Sequence, residues 1–167
     1  MDEERCRDKQ EAAGGPADYE TVTIEKTRNV CPMCEDYARA QAAKPVVVMC
    51  CEGACLRGEI ARRASNLLCY KLAPDTTVRL CLGGAFTKGT GQRGLARKGK
   101  RVVALEGCFI ECASRMMKGV IPELKPEVII ADTLYDFDRS LFGIDEMPEA
   151  QIKVHAEQVA RRVLEWL

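Results

Sequence analysis

The chain alternates short apolar runs with segments of helical periodicity, and this alternation restricts the folds open to it. Four runs are predicted strands: Pro45–Cys50, Val78–Leu82, Arg101–Leu105 and Glu127–Ala131. The first is continuously apolar and rich in β-branched residues, which is the pattern of a strand buried on both faces. Three segments between or after them are predicted helices: Leu56–Leu72, Cys108–Gly119 and Pro148–Leu167. Strands that alternate with helices pair in parallel through right-handed crossovers. The sequence therefore predicts a Rossmann-like, three-layer α/β/α sandwich with a mostly parallel sheet of about four strands, in an order such as 2-1-3-4.

The N-terminal part of the chain is predicted to lie outside this sandwich. Three segments are expected: a flexible polar tail at residues 1–20, an appended element at 21–44, and a single α/β domain at 45–167, whose function the cysteines below indicate. Within the appended element, Thr21–Ile24 alternates like a short strand, Cys31-Pro-Met-Cys34 is a Cys-x-x-Cys motif, and Glu35–Ala43 is a predicted helix.

Composition excludes several classes of function. The 25 basic residues balance the 25 acidic ones, and only 5% of residues are aromatic, which argues against nucleic acid and anionic membranes as partners. No stretch reaches the roughly 18 apolar residues of a membrane span, and the charged N-terminus lacks the apolar core of an export signal. We therefore expect a cytoplasmic protein, and the sequence identifies no protein partner.

Cysteine is the residue type that most strongly indicates a function here. Ten cysteines occur in 167 residues. A chain of this length buries roughly two-thirds of its unfolded surface, so it needs neither metal nor disulfide merely to fold. Clustered cysteines in a reducing compartment favour a functional thiolate site. Five cysteines directly follow predicted strands: Cys51, Cys55, Cys81, Cys108 and Cys112.

The predicted topology brings these cysteines to one edge of the sheet. Ligands bind open α/β sheets beyond the carboxyl ends of the strands, where the strand order reverses. In the order 2-1-3-4 this point lies between the first and third strands, which carry the two Cys-x-x-x-Cys motifs. If each motif lies in an opening helical turn, its two sulfurs point the same way. Gly53 and Gly107 are expected to form sharp turns beside the site, whereas Cys50 and Cys69 are expected in the core.

Several of these residues resemble a known family. The resemblance covers roughly residues 45–132 and is carried by Cys51 after an apolar strand, by Cys81-Leu-Gly-Gly84, and by Glu106-Gly107-Cys108 with Cys112. It is to the DGC domain family, prokaryotic zinc-binding proteins named for an Asp-Gly-Cys triplet, here with glutamate in place of aspartate. The resemblance implies zinc as cofactor, with Cys51, Cys81, Cys108 and Cys112 as ligands. Cys55 is a further candidate on strand-end geometry alone.

Two alternatives use the same cysteines. Four thiolates suit an iron–sulfur cluster in electron transfer as well as tetrahedral zinc, and spacing does not separate the two. A redox or sulfur-transfer enzyme acting on a small thiol ligand would instead use the cysteines in disulfide exchange or sulfur transfer, in which one cysteine attacks a disulfide sulfur and a neighbour resolves the mixed disulfide. Residues 83–101, rich in glycine and basic residues, are predicted as a flexible loop that could steer a small anionic ligand. The sequence assigns no catalytic residue.

The remaining candidates are weaker. Cys31 and Cys34 have the spacing of a thioredoxin-type redox pair or of half a zinc site. His155, the single histidine, is predicted to be structural, so a metal site must be mainly sulfur-ligated. Three aspartates after the fourth strand are expected in a solvated loop: Asp132, Asp136 and Asp138.

Overall fold

The centre of the protein is a four-stranded, all-parallel sheet. A computed structural model describes residues 22–167, so the predicted tail at 1–20 and Thr21 lie outside the described residues. The strands are β1 (Val46–Cys50), β2 (Thr77–Arg79), β3 (Arg101–Glu106) and β4 (Glu127–Ile130). Their spatial order is β2-β1-β3-β4 and every pair is parallel. The predicted α/β class and strand order are confirmed, with the reversal between β1 and β3.

Helices cover both faces of the sheet. They are α1 (Pro32–Gln41), α2 (Leu56–Leu67), α3 (Leu82–Phe86), α4 (Gly91–Lys98), α5 (Cys112–Val120) and α6 (Glu149–Leu164). A π-helical turn at Leu68–Leu72 extends α2, and 3-10 turns lie at Ala131–Thr133 and Ile144–Glu146. One core holds α2 and α6 against the sheet, and the other holds α1, α3, α4 and α5. These three layers are the predicted sandwich.

The central strand β1 explains why its sequence is continuously apolar. All five of its residues are buried. Val46, Val48 and Cys50 belong to the core under α2 and α6, while Val47 and Met49 belong to the opposite core. Successive side chains alternate between faces, so a strand covered on both sides must be apolar at every position.

The chain after β2 differs from the prediction. The strand was expected to run over Val78–Leu82 but ends at Arg79, and Leu82 already opens α3. The last ladder bond here runs from the Leu80 N–H to the Val48 carbonyl, at 2.8 Å. Cys81 then caps α3, since its sulfur accepts from the Gly84 N–H at 3.4 Å. The glycines that were expected to stop a strand therefore lie in the first turn of a helix.

The basic segment at residues 83–101 is not a flexible loop. It forms α3 and α4. Thr90 is the N-cap of α4, and its hydroxyl accepts from the Arg93 N–H at 3.2 Å. Leu95 and Ala96 are buried against the sheet. An eight-residue helix with two buried apolar residues has little hydrophobic periodicity. The glycines and basic residues of the segment therefore favoured the prediction of a loop.

The helices also start at different residues from those predicted at the two Cys-x-x-x-Cys motifs. Helix α5 was expected from Cys108 but begins at Cys112, after Glu111 in a left-handed conformation with φ of 53°. Cys55 is the N-cap of α2. The predicted placement of each cysteine pair in one opening helical turn is therefore wrong: the first cysteine lies in the turn after the strand, and the second marks the helix start.

Smaller differences concern the termini and the loop after β4. Helix α1 begins at Pro32 instead of Glu35, because proline suits the first turn of a helix. Residues 22–24 form no strand. Asp136 and Asp138 are exposed as predicted, but Asp132 is buried. No helix in residues 22–167 is long and apolar enough to cross a membrane.

Candidate metal centre

Four of the five predicted site cysteines form one group at the carboxyl ends of β1 and β3. Cys112 lies close enough to Cys51 and Cys108 that, after burial, both raise its pKa. Cys108 lies close enough to Cys51 and Cys55 to feel the charge of both. Cys51 is buried and the other three are half-buried. The two Cys-x-x-x-Cys motifs thus present their sulfurs to the same region.

Backbone contacts hold the end of β1 in place. The Cys51 N–H donates to the Leu105 carbonyl at 3.1 Å, which extends the β1–β3 ladder past the strand. The Cys51 sulfur accepts from the Gly53 N–H at 3.4 Å. A Cβ atom at Gly53 would lie 3.3 Å from the Cys51 sulfur and 3.7 Å from the Cys55 sulfur. A glycine between the two cysteines therefore leaves room for their side chains.

Gly107 brings the second motif against the first. A Cβ atom on Gly107 would lie 2.8 Å from the Arg57 carbonyl carbon and 2.8 Å from the Gly58 nitrogen. Gly58 is equally crowded, since its Cβ would lie 2.9 Å from the Gly53 carbonyl oxygen. The turn after β3 thus packs backbone to backbone on the first turn of α2. This packing is the reason that Cys108 approaches Cys55.

Glu106 positions the fourth thiol. Its side chain is fully buried, and Oε1 accepts from the Ser114 N–H at 2.6 Å and the Ser114 hydroxyl at 2.7 Å. Oε2 accepts from the Ala113 N–H at 3.2 Å. A carboxylate at the end of β3 therefore caps α5 and fixes its first residue, Cys112, near Cys108. Sequence reasoning missed this role; the available signal was an acid directly after an apolar strand and before a helix start.

The thiols shift one another's protonation. Burial raises the pKa of Cys108, and the charges of Cys55, Asp132 and Cys51 raise it further, against the opposing Ile110 N–H. Burial also raises the pKa of Cys112, with added contributions from Cys51, Cys108 and Glu106. The raised pKa values favour the protonated thiols of Cys108 and Cys112, whereas a bound cation would favour their thiolate forms.

An ion pair builds one wall of the site. Arg57 Nε donates to Asp132 Oδ2 at 3.2 Å, and the same guanidinium donates to the Leu141 carbonyl at 3.3 Å. Cys55 forms an antiparallel bridge with Gly143. The loop after β4 is therefore tied to the first turn of α2, which explains why Asp132 is buried.

The fifth predicted ligand, Cys81, lies near Cys34 and is not part of the group at the ends of β1 and β3. It follows β2, its N–H donates to Gln92 Oε1 at 3.0 Å, and its charge contributes to raising the pKa of Cys34. Cys81 also lines a cavity of about 290 Å³ with Tyr37 and Arg79. The contacts described above join the other four predicted ligands and do not involve it.

The remaining cysteines of the domain belong to the core, as predicted. Cys50 is fully buried, and burial raises its pKa to about 12. Its sulfur accepts from the Arg79 guanidinium at 2.8 Å. Cys69 is also buried, and burial raises its pKa. His155 is half-buried, and the centroid of its ring lies 4.8 Å from that of the Tyr135 ring, which agrees with a structural role.

The four grouped thiols have the donor type that suits a soft metal. Within residues 22–167, no three histidine, cysteine, aspartate or glutamate side chains stand close enough to hold a metal ion as oriented. Cys51, Cys55, Cys108 and Cys112 nevertheless supply the sulfur donors that zinc prefers in structural sites. Binding would require their side chains to turn toward a shared centre, which residues at helix starts and in turns can do more easily than residues within a strand.

The family model of the DGC domain matches residues 47–159. The chain belongs to the DGC domain family. The matched part of this DGC protein includes all five predicted site cysteines and the triplet Glu106-Gly107-Cys108, and it leaves α1 outside. No curated protein and no solved structure matches the chain significantly. Family membership is consistent with a metal-binding protein.

Proposed function

We propose that this DGC protein binds zinc through Cys51, Cys55, Cys108 and Cys112. The observation that carries the proposal is the convergence of two Cys-x-x-x-Cys turns at the point where the strand order reverses. Four thiolates suit tetrahedral zinc, and a site closed by four cysteines holds metal and leaves no open position for substrate. The proposal includes a cytoplasmic location, because thiolate ligands need a reducing compartment to remain unpaired.

The choice of Cys55 in place of Cys81 has specific support. Cys55 contributes to the electrostatic surroundings of Cys108, whereas Cys81 contributes to those of Cys34. Cys55 also caps α2 beside the turn against which Gly107 packs. Family resemblance favours Cys81, so the two assignments lead to different results for single variants.

The residues around the thiols would prepare the site before metal arrives. Glu106 holds the start of α5, and Gly107 lets the turn after β3 approach α2. The Arg57–Asp132 pair fixes the neighbouring loop. Arg57 already balances the charge of Asp132, and bound zinc would supply the positive charge that stabilises the thiolate forms of the cysteines. A site prepared in this way binds metal with less loss of conformational entropy.

The test is anaerobic purification followed by elemental analysis and an absorption spectrum. We expect about one zinc ion per chain, lost in Cys51→Ser, Cys108→Ser and Cys55→Ser and retained in Cys81→Ser and Cys31→Ser. Zinc lost in Cys81→Ser and retained in Cys55→Ser would restore the assignment implied by the resemblance. A brown protein with iron and sulfide would support the iron–sulfur alternative. A wild-type protein without any metal would refute metal binding.

Chelation supplies a second measurement. Removal of zinc should increase amide hydrogen exchange in the turns at residues 51–55 and 107–111. Exchange in β1 and β3 should change little, because their packed cores do not depend on the metal. Equal increases throughout the domain would indicate that zinc supports the whole fold, and no increase at the turns would contradict the assigned site.

A further inference from the structure

A second pair of thiols lies at the start of α1, outside the matched family region. Cys31 is the N-cap of this ten-residue helix, Pro32 follows it, and Cys34 lies in the first turn. Cys31 is exposed and Cys34 is half-buried. The proposed zinc site uses neither residue, so this Cys-x-x-Cys motif requires its own explanation.

Helix α1 is held firmly against the domain. Both carboxylate oxygens of Glu35 accept from the Gly91 N–H, at 2.8 and 2.9 Å, at the start of α4. Tyr37 donates its hydroxyl to the Arg79 carbonyl at 3.2 Å. Ala38 is buried in the core under α1, α3, α4 and α5. The two cysteines are therefore presented on a fixed support and do not belong to a loose extension.

The pair opens onto a cavity. A space of about 240 Å³ separates the start of α1 from α3 and α4, and its lining includes Cys31, Cys34, Gly83, Gly84, Thr87 and Thr90. Most of these neighbours are small or neutral and polar; the one acid in the lining, Glu35, accepts hydrogen bonds from the Gly91 N–H. They leave room for a small disulfide-bonded molecule to approach the exposed sulfur.

The two thiols are chemically unequal. The Cys31 sulfur makes no capping hydrogen bond to the backbone of α1. Interactions with the Cys34 N–H, the Cys34 thiol and the Met33 N–H nevertheless lower the pKa of Cys31. The hydrogen bond to Cys31 and then its charge raise the pKa of Cys34. The exposed sulfur is thus the better nucleophile, and the shielded sulfur retains its proton longer. This is the division of roles in dithiols that exchange with disulfides.

We propose that Cys31 and Cys34 form a thiol–disulfide exchange pair that reacts with a low-molecular-weight disulfide. The Cys31 thiolate attacks one sulfur of the substrate, the substrate S–S bond breaks, and one thiolate leaves and takes a proton. Cys34 then loses its proton, attacks the Cys31 sulfur, and displaces the second substrate thiol. The protein dithiol is oxidised to a disulfide by two electrons, and the substrate disulfide is reduced to two thiols.

The experiment uses the full-length, metal-loaded protein and glutathione as probe. Protein is equilibrated over a series of oxidised-to-reduced glutathione ratios, quenched with acid, alkylated and mapped by peptide mass. The wild type should form a Cys31–Cys34 disulfide that appears and disappears reversibly with the ratio. In Cys34→Ser, a glutathione adduct should accumulate on Cys31 about tenfold faster than one on Cys34 in Cys31→Ser. Cys81→Ser is the matched control and should keep the Cys31–Cys34 disulfide.

Other outcomes would overturn the assignment. A Cys34–Cys81 disulfide in the wild type would show that the pair is a different one. Equal adduct rates in the two single variants would remove the distinction between nucleophile and resolving thiol. Loss of zinc in Cys31→Ser or Cys34→Ser would make the motif a metal ligand. Zinc retained at the strand ends with no glutathione-dependent disulfide would refute this inference alone and leave the proposed function standing.

Discussion

Replacing Gly107 with alanine tests whether close backbone packing creates the thiol group. Among the glycines in residues 22–167, only Gly89 has a positive φ angle, so Gly107 is required for space and not for conformation. An alanine Cβ there would lie 2.8 Å from two backbone atoms of Arg57 and Gly58, whereas ordinary contact begins at 3.4 Å. Neither neighbour is the end of a flexible side chain. The turn after β3 must therefore move away from α2.

The size of the effect follows from this overlap. Adding a methyl group where backbone must yield costs about 1–3 kcal/mol in a packed interior. For a domain of this size, about 2 kcal/mol lowers the melting temperature by roughly 4–8 °C. The same movement draws Cys108 away from Cys55, so zinc affinity should fall along with stability.

Thermal unfolding and competition with a chromophoric chelator measure the two effects. Gly94→Ala is the matched control, because that glycine lies within α4 and a Cβ there meets nothing within 4 Å. The control should retain zinc and gain about 0.5–1 kcal/mol, the usual benefit of alanine over glycine in a helix. A Gly107→Ala protein as stable as the wild type, with unchanged zinc affinity, would refute the packing argument.

Three further predictions concern buried or paired acids. Glu106→Gln should lower the free energy of unfolding by about 1–3 kcal/mol in urea titrations, because an amide cannot accept every hydrogen bond that the carboxylate accepts. Hydrogen bonds from Arg62, and then Arg63, hold the pKa of Glu59 below its ordinary value against the opposing effect of burial. Glu59 therefore stabilises the fold at neutral pH and loses this effect as pH falls through its lowered pKa; the stability gap to Glu59→Gln should narrow once pH falls below the ordinary glutamate pKa of about 4.3. Glu35→Ala should free α1 from α4, which limited proteolysis would detect as faster cleavage near residues 30–44.

Each of these predictions has its own control. Glu111→Gln changes an acid that makes no capping hydrogen bond, so it should leave the urea midpoint nearly unchanged. If Glu106→Gln also leaves the urea midpoint unchanged, the Glu106 cap does not contribute to stability. A stability gap for Glu59→Gln that persists in acid would mean that packing, and not charge, is lost. Asp36→Ala alters an exposed neighbour of Glu35, and equal cleavage of these two variants would contradict the docking of α1.

Prediction from sequence was most successful for the sheet. Strand β1 is apolar throughout and β3 is apolar from Val102 to Leu105, because helices cover both faces, and this pattern is a local property of the sequence. Order and parallel pairing followed from the alternation of strands with helices. The failures came where local signals were weak: α4 buries only a few apolar side chains among basic ones, and Cys81 caps a helix where a strand was expected to continue.

The sequence by itself determined that five cysteines reach one edge of a parallel sheet, because strand periodicity and crossover rules depend on residues close together in the chain. Only the tertiary structure decided which of them meet. Cys55 joins Cys108 because Gly107 packs on α2, and Cys112 joins them because the buried Glu106 carboxylate caps α5. The first contact links residues far apart along the chain, and the second spans the turn between β3 and α5. Both depend on differences of a few tenths of an ångström in the separation of packed groups. No local pattern encodes such distances, so the division of the thiols between two sites could be read only from the folded protein.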